Sequence, residues 1–145
     1  MQVSTRKGFI FLPVIFLTLS LMLGTASLCR IWNRHQQTLH LYTGFFQAQN
    51  AAYSAAAFIQ SAGNQLPVIP LLPASAAVLL AQPQIGTVCA IDETSTVRII
   101  RTPTCFYAIG TAFEQSPFYA LTVFQIFTTL NSDQSLSISK IKKFY

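Results

Sequence analysis

The chain has 145 residues, enough for one domain plus a hydrophobic segment, and only 9% of them are charged, against roughly 25% in an ordinary soluble domain. Its formal net charge is +5, but the basic residues are dispersed. Arg6 and Lys7 precede one apolar stretch, Arg30 and Arg34 lie just past it, and Lys140, Lys142 and Lys143 form a tail. A nucleic-acid reader needs a basic patch on one folded face with groove-reading residues among it, so no nucleic acid is expected as a partner, and the tail reads as a solvated terminus.

In chain order, the first feature is Arg6-Lys7-Gly8 directly before an uncharged, mostly apolar run from Phe9 to Cys29. That run has the length of a bilayer-spanning helix. Two readings compete. In one, it is a secretory signal with small residues Gly24-Thr25-Ala26 at a cleavage site, giving a secreted protein that starts at Ser27. In the other, it stays as an anchor, with the preceding positive charges holding the N-terminus in the cytoplasm. The other apolar run, Val68 to Leu80, is too short to span and is interrupted by Pro70 and Pro73.

The segment after the run favours the anchor. From Cys29 to Ala62 there is no proline and a single glycine, Gly44. Ile31, Leu39, Tyr42, Phe46, Ala52, Ala56 and Ile59 recur at near-helical spacing, with Trp32, Phe45 and Tyr53 widening the stripe. Alanine is dense from Ala48 to Ala57, which suits a helix. The pattern predicts one long helix over 9–63, its 9–29 part in lipid and its second half amphipathic and packed on something. Gly63-Asn64, Pro67, Pro70 and Pro73 then break it.

Residues 64–84 read as a proline-rich crossing loop with a short helix around Ala74 to Ala81. Residues 85–145 read as a small β domain. Thr96 to Ile100, Cys105 to Phe113 and Tyr119 to Thr129 carry strand composition, and Glu114-Gln115-Ser116-Pro117 makes a turn between the last two. Asn131 to Tyr145 is an edge strand or a loose tail. The fold class expected is therefore α+β, a long N-terminal helix packed on a small antiparallel sheet. Half of the 12 phenylalanines lie in the helix and half at Phe106 or beyond, so both packing partners are rich in aromatics. Core packing explains them, and an exposed remainder would mark a subunit interface. If the β domain is exported, Cys89 and Cys105 are the natural disulfide pair; the alternative is two buried free thiols.

This architecture resembles type IV pilins and the pseudopilins of type II secretion. Lys7-Gly8-Phe9-Ile10-Phe11-Leu12 looks like their leader junction. The resemblance implies that 1–8 is a prepilin-type leader, that a prepilin peptidase cuts between Gly8 and Phe9, and that Phe9 becomes an N-methylated terminus. Most pilins carry glutamate at the fifth position of the mature chain, where it is thought to pair with a neighbour's terminal amine; Pro13 stands there in this chain. A buried carboxylate is costly without a partner, so its loss suits a subunit at the filament tip, which has no amine ahead of it to neutralise. Proline is acceptable near a helix start, where N–H groups have no helical partner. Phe45-Phe46-Gln47-Ala48-Gln49-Asn50-Ala51-Ala52 is similar to a segment of PilX-type minor pilins, with Asn50 where glutamate is usual.

No phosphate loop, HExxH, CxxC or serine elbow occurs in the sequence. His35 and His40 are five apart and do not share a helical face as an i,i+4 pair would. Nothing positions a catalytic pair among Asp92, Glu93, Glu114 and Asp133. No cofactor, no metal and no enzymatic activity are expected. The resemblance implies an inner-membrane protein with a periplasmic C-terminal domain that later joins a surface filament. Its implied partners are other pilin and minor pilin subunits, the prepilin peptidase and the pilus assembly platform. A single-pass membrane protein with an exported domain and no filament remains the alternative, beside the secreted protein cut after Ala26.

Overall fold

The computed structural model describes residues 11–70, 73 and 75–144. Helix α1 (Phe11–Ala62) is followed by a 3-10 turn (Gly63–Gln65), helix α2 (Ala76–Leu80) and five strands: β1 (Thr87–Ala90), β2 (Ser95–Arg101), β3 (Phe106–Ala112), β4 (Ala120–Leu130) and β5 (Leu136–Lys143). The strands form one antiparallel sheet in sequence order, β1-β2-β3-β4-β5. The chain divides into two units, Met1–Leu39 and His40–Tyr145. In the first, every described residue is helical and exposed. The second has its own core.

The strand pattern explains the sheet. Alternate residues face opposite sides, and each antiparallel neighbour is one short connection away. Val97 and Ile99 of β2, Phe106 and Ala108 of β3, and Phe124 and Ile126 of β4 share one face and bury themselves against Ala51, Ala52, Ala55 and Ile59 of α1. The other face carries Ile100, Tyr107, Ile109 and Val123, covered by Leu79 of α2 together with Ile69, Ala76 and Ile85. β3 is therefore buried at all seven positions. Its run FYAIGTA does not alternate because both of its faces are covered.

The pilin resemblance implies that one face of the sheet packs on the helix and the other faces water or a neighbouring subunit. Instead, residues of the 69–85 segment cover part of that other face. Of the two readings of the last segment, the edge strand is the one found: Leu136–Lys143 forms β5, paired with β4, whose register shifts between Phe127 and Thr128. β1 is not foreseen from the sequence, because a four-residue strand has too little pattern to count.

The helix face that meets the sheet keeps Ala52, Ala56 and Ile59 of the expected stripe but not its aromatic members Tyr42 and Phe46. The buried residues of α1 are Gly44, Ala48, Ala51, Ala52, Ala55 and Ile59. Tyr42 and Phe46 stay 70% and 65% exposed. The reason is backbone proximity. A Cβ added to Gly110, in the middle of β3, would run into the Ala48 carbonyl oxygen and stand 2.8 Å from the Ala52 nitrogen. Helix and strand backbones come so close that only small residues fit between them. Gly44 plays the same part beside the β3–β4 connection, where an added Cβ would lie 3.2 Å from the Phe118 carbonyl oxygen.

The end of α1 is fixed by a strand residue. Arg101 Nη1 donates to the carbonyl oxygens of Gly63, Asn64 and Leu66 at 3.3, 2.8 and 3.1 Å. The last carbonyls of a helix lack intrahelical partners, and a cation there also meets the negative end of the helix dipole. Asn64 Nδ2 donates to the Gln134 carbonyl at 2.6 Å, tying the same helix end to the β4–β5 turn. Gly110→Ala will force helix and strand apart and cost about 1–3 kcal/mol of stability, read as a fall in the unfolding midpoint of the purified chain; an unchanged midpoint contradicts the close approach.

Candidate functional site

The proposed processing junction, Gly8 and Phe9, lies outside the described residues. Pro13 lies inside them, as the third residue of the described helix, and α1 continues through it to Ala62. The acceptor that an N–H at this position would use, four residues earlier, lies outside the described residues.

In the first unit the large apolar side chains from Phe11 to Leu28 are 43–72% exposed. They point to every side of the helix. A helix apolar all round belongs in a protein core or in lipid, and here no described residue covers it. This is the chain's one candidate membrane span among the described residues, long and apolar enough to cross a bilayer. Arg30 and Arg34 mark its polar end.

In the second unit the helix surface away from the sheet carries the exposed rings of Tyr42 and Phe46, and Tyr53 is half-exposed. Tyr53 leans on Phe124 with centroids 4.7 Å apart. Phe45 lies beneath the Lys143 ammonium, 4.8 Å from its centroid. His40 stacks on Phe118 at 5.1 Å. His40 thus has a packing role, while His35 lies in the first unit. No group of three His, Cys, Asp or Glu is assembled among the described residues.

The expected Cys89–Cys105 disulfide is absent: both are free thiols, half-buried and buried respectively. The sheet explains why. Cys89 pairs with Val97 and packs on the helix side, whereas Cys105 belongs to the cluster on the opposite side. Cys105 also sits beyond the Arg101–Phe106 pair, about five residues or 16 Å further along the strands. A disulfide needs Cα atoms within about 7 Å. Cys105 is instead held by hydrogen bonds. Gln125 Nε2 donates to its Sγ at 3.4 Å, and the Thr102 hydroxyl donates to its carbonyl at 2.7 Å. Burial, then the adjacent Cys105, pushes the Tyr107 hydroxyl up to about 12.

Two adjoining hollows lie on the open part of the outer sheet face. One, of about 380 Å³, is lined by Ile109, Leu121, Val88, Arg98, Tyr119 and Pro83 among others. The second, of about 390 Å³, includes Glu93, Phe113 and Ser116, and both share Thr96, Thr111 and Glu114. Their polar groups are largely engaged by the fold. Arg98 donates to the Gln82 and Leu79 carbonyls at 2.8 and 3.2 Å, and burial lowers its pKa. The Thr96 and Thr111 hydroxyls bond each other at 2.7 Å. Burial, then the nearby Glu114, raises the Tyr119 pKa. This arrangement fastens a loop to a sheet; it sets no nucleophile beside a base. At the rim, Asp92 Oδ1 accepts from the Thr94 and Ser95 nitrogens, each at 2.7 Å, and from the Thr94 hydroxyl at 2.9 Å. Hydrogen bonding from the Ser95 side chain first, then from the Thr94 backbone and hydroxyl, holds its carboxyl down at about 2.

Comparison with family models, with curated proteins and with solved structures finds no match. The small-residue face and the Arg101 clamp are the features that sequence reasoning misses. Gly44, Ala48 and Ala52 at i,i+4 spacing is the signal available for the first. Nothing in the sequence pairs Arg101 with Gly63.

Alkylation of the folded chain will label Cys89 and spare Cys105, and the unfolded chain without reductant will label at both; a pair resistant to labelling until reduced would restore the disulfide. Acid will also probe the Asp92 turn. Its carboxyl is depressed from 3.8 to about 2 in the fold, so its contribution to stability is present above about pH 4 and is lost as pH falls through about 2. Asp92→Asn will flatten the stability profile in that window, measured by unfolding midpoints at successive pH values.

Proposed function

We propose that this chain is a minor pilin or pseudopilin, a subunit that joins or primes a type IV pilus or a type II secretion-like filament. The observation that carries the reading is the contrast along α1. Its Phe11–Leu39 part is exposed on all sides and apolar to Cys29. Its later part puts a small-residue face against a five-stranded antiparallel sheet. A lipid-soluble half joined to a water-soluble head is what a subunit stored in the inner membrane and later drawn into a helical filament core requires.

In this role Phe11–Cys29 anchors the chain, and the head stands in the periplasm. A prepilin peptidase removes 1–8 at the Gly8–Phe9 bond, and Phe9 is N-methylated. In the filament, Gly24, Thr25, Ala26 and Ser27 permit close approach of neighbouring helices. Exposed Tyr42 and Phe46 offer further aromatic surface to other pilin subunits, since a patch of that kind on a soluble surface marks an interaction site. Pro13 in place of a carboxylate suits a position at the tip, with no amine ahead of it to meet.

The test is the mass and first residue of the mature chain recovered from membranes of its own host. Methylated Phe9 at the terminus is the expected result. A terminus at Ser27 makes it a secreted protein, and an intact Met1 leaves a plain membrane anchor.

A further inference from the structure

The end of the apolar stretch has a chemistry of its own. Arg30 and Arg34 are exposed, one helical turn apart on the same side of α1. No Asp or Glu occurs in the sequence before Asp92, so the first unit contains no carboxylate to pair with them. Two guanidinium groups at i,i+4 repel each other. Each presents a fork of N–H donors matched to phosphate or carboxylate oxygens. The charges therefore lack a counter-ion within their own unit, at the place where the chain leaves its apolar stretch.

The depth identifies the counter-ion. Phe11–Cys29 extends about 28 Å at about 1.5 Å per residue, close to the hydrocarbon thickness of a bilayer. Arg30 then stands at the hydrocarbon edge and Arg34 about 6 Å further out, within the headgroup layer. Trp32, 64% exposed, lies between them in sequence, an amphipathic ring of the kind that settles at the membrane–water boundary. We infer that Arg30 and Arg34 together bind the phosphate of an anionic phospholipid, in the leaflet at the C-terminal end of the span. The site rests on the membrane-anchor part of the proposed function. Arginine stems long enough to reach along the helix bring both forks to one phosphate, and the shared anion removes their mutual repulsion.

The test uses the full chain in mild detergent, titrated with phosphatidylglycerol or phosphatidylcholine and read by native mass spectrometry. The chain is expected to retain phosphatidylglycerol preferentially. Affinity should fall about fivefold when one arginine is replaced and about thirtyfold in the double variant Arg30→Gln with Arg34→Gln. Equal binding by the double variant, or no preference between the lipids, overturns the site. Displacement of the lipid by excess inorganic phosphate reassigns the forks to a soluble anion and overturns the lipid assignment. Carbonate extraction of host membranes separates the two levels. Release of the unaltered chain defeats the anchor itself, and the lipid site with it. Retention of both proteins with unchanged lipid binding defeats the headgroup site alone.

Discussion

The second unit of this protein depends on one close approach. Gly110, in the centre of the sheet, lies against the backbone of α1 at Ala48 and Ala52 with no room for a Cβ. Everything around it depends on that distance. The helix must present Gly44, Ala48, Ala51, Ala52 and Ala55 rather than large side chains. The volume needed for a core is then supplied by the strands, through Ile99, Phe106, Phe124 and Ile126, and by Ile59 further along the helix. Small residues on one element and large ones on its partner give interlocked packing at the density of a protein interior.

A second constraint is polar. The helix ends inside the fold, where carbonyls without partners are costly. From β2, Arg101 donates to the carbonyls of Gly63, Asn64 and Leu66 just past the helix end, and its neighbour in register, Phe106, offers its ring to the same guanidinium at 5.8 Å. One strand residue thus joins the helix end, the crossing loop and the sheet. Arg98, three positions earlier on β2 and so on the opposite face of the sheet, does the like for the end of α2 through the Leu79 and Gln82 carbonyls. Two of the scarce charges of this chain thus hold loops and helix ends to the sheet.

Legibility in the sequence varied with the kind of signal. The long helix was plain, because a proline-free stretch with dense alanine and a uniform apolar run speaks through many residues at once. Three of the five strands were plain from composition. β1 was not, having four residues, and β5 was ambiguous, because Leu136, Ile138 and Ile141 do not keep strict alternation across the irregularity in its pairing with β4. The stripe is right at Ala52, Ala56 and Ile59 and wrong at Tyr42 and Phe46 for a physical reason: hydrophobicity ranks those rings above Ala48, whereas backbone distance decides burial here. The cysteine pairing failed on parity. Cys89 and Cys105 take opposite sides of a pleated sheet, and that cannot be read until the register is known.

By itself the sequence determined the division of labour along the chain: an uncharged apolar stretch bounded by Arg30, and a polar, aromatic-rich remainder. Hydrophobic length and charge position are local properties, so no fold is needed to read them. The tertiary structure alone decided which face of α1 is inside, that the 69–85 segment covers part of the outer sheet face, and that two thiols in one small domain stay apart. Those outcomes depend on distances between residues remote in sequence, and only strand register and backbone proximity fix them.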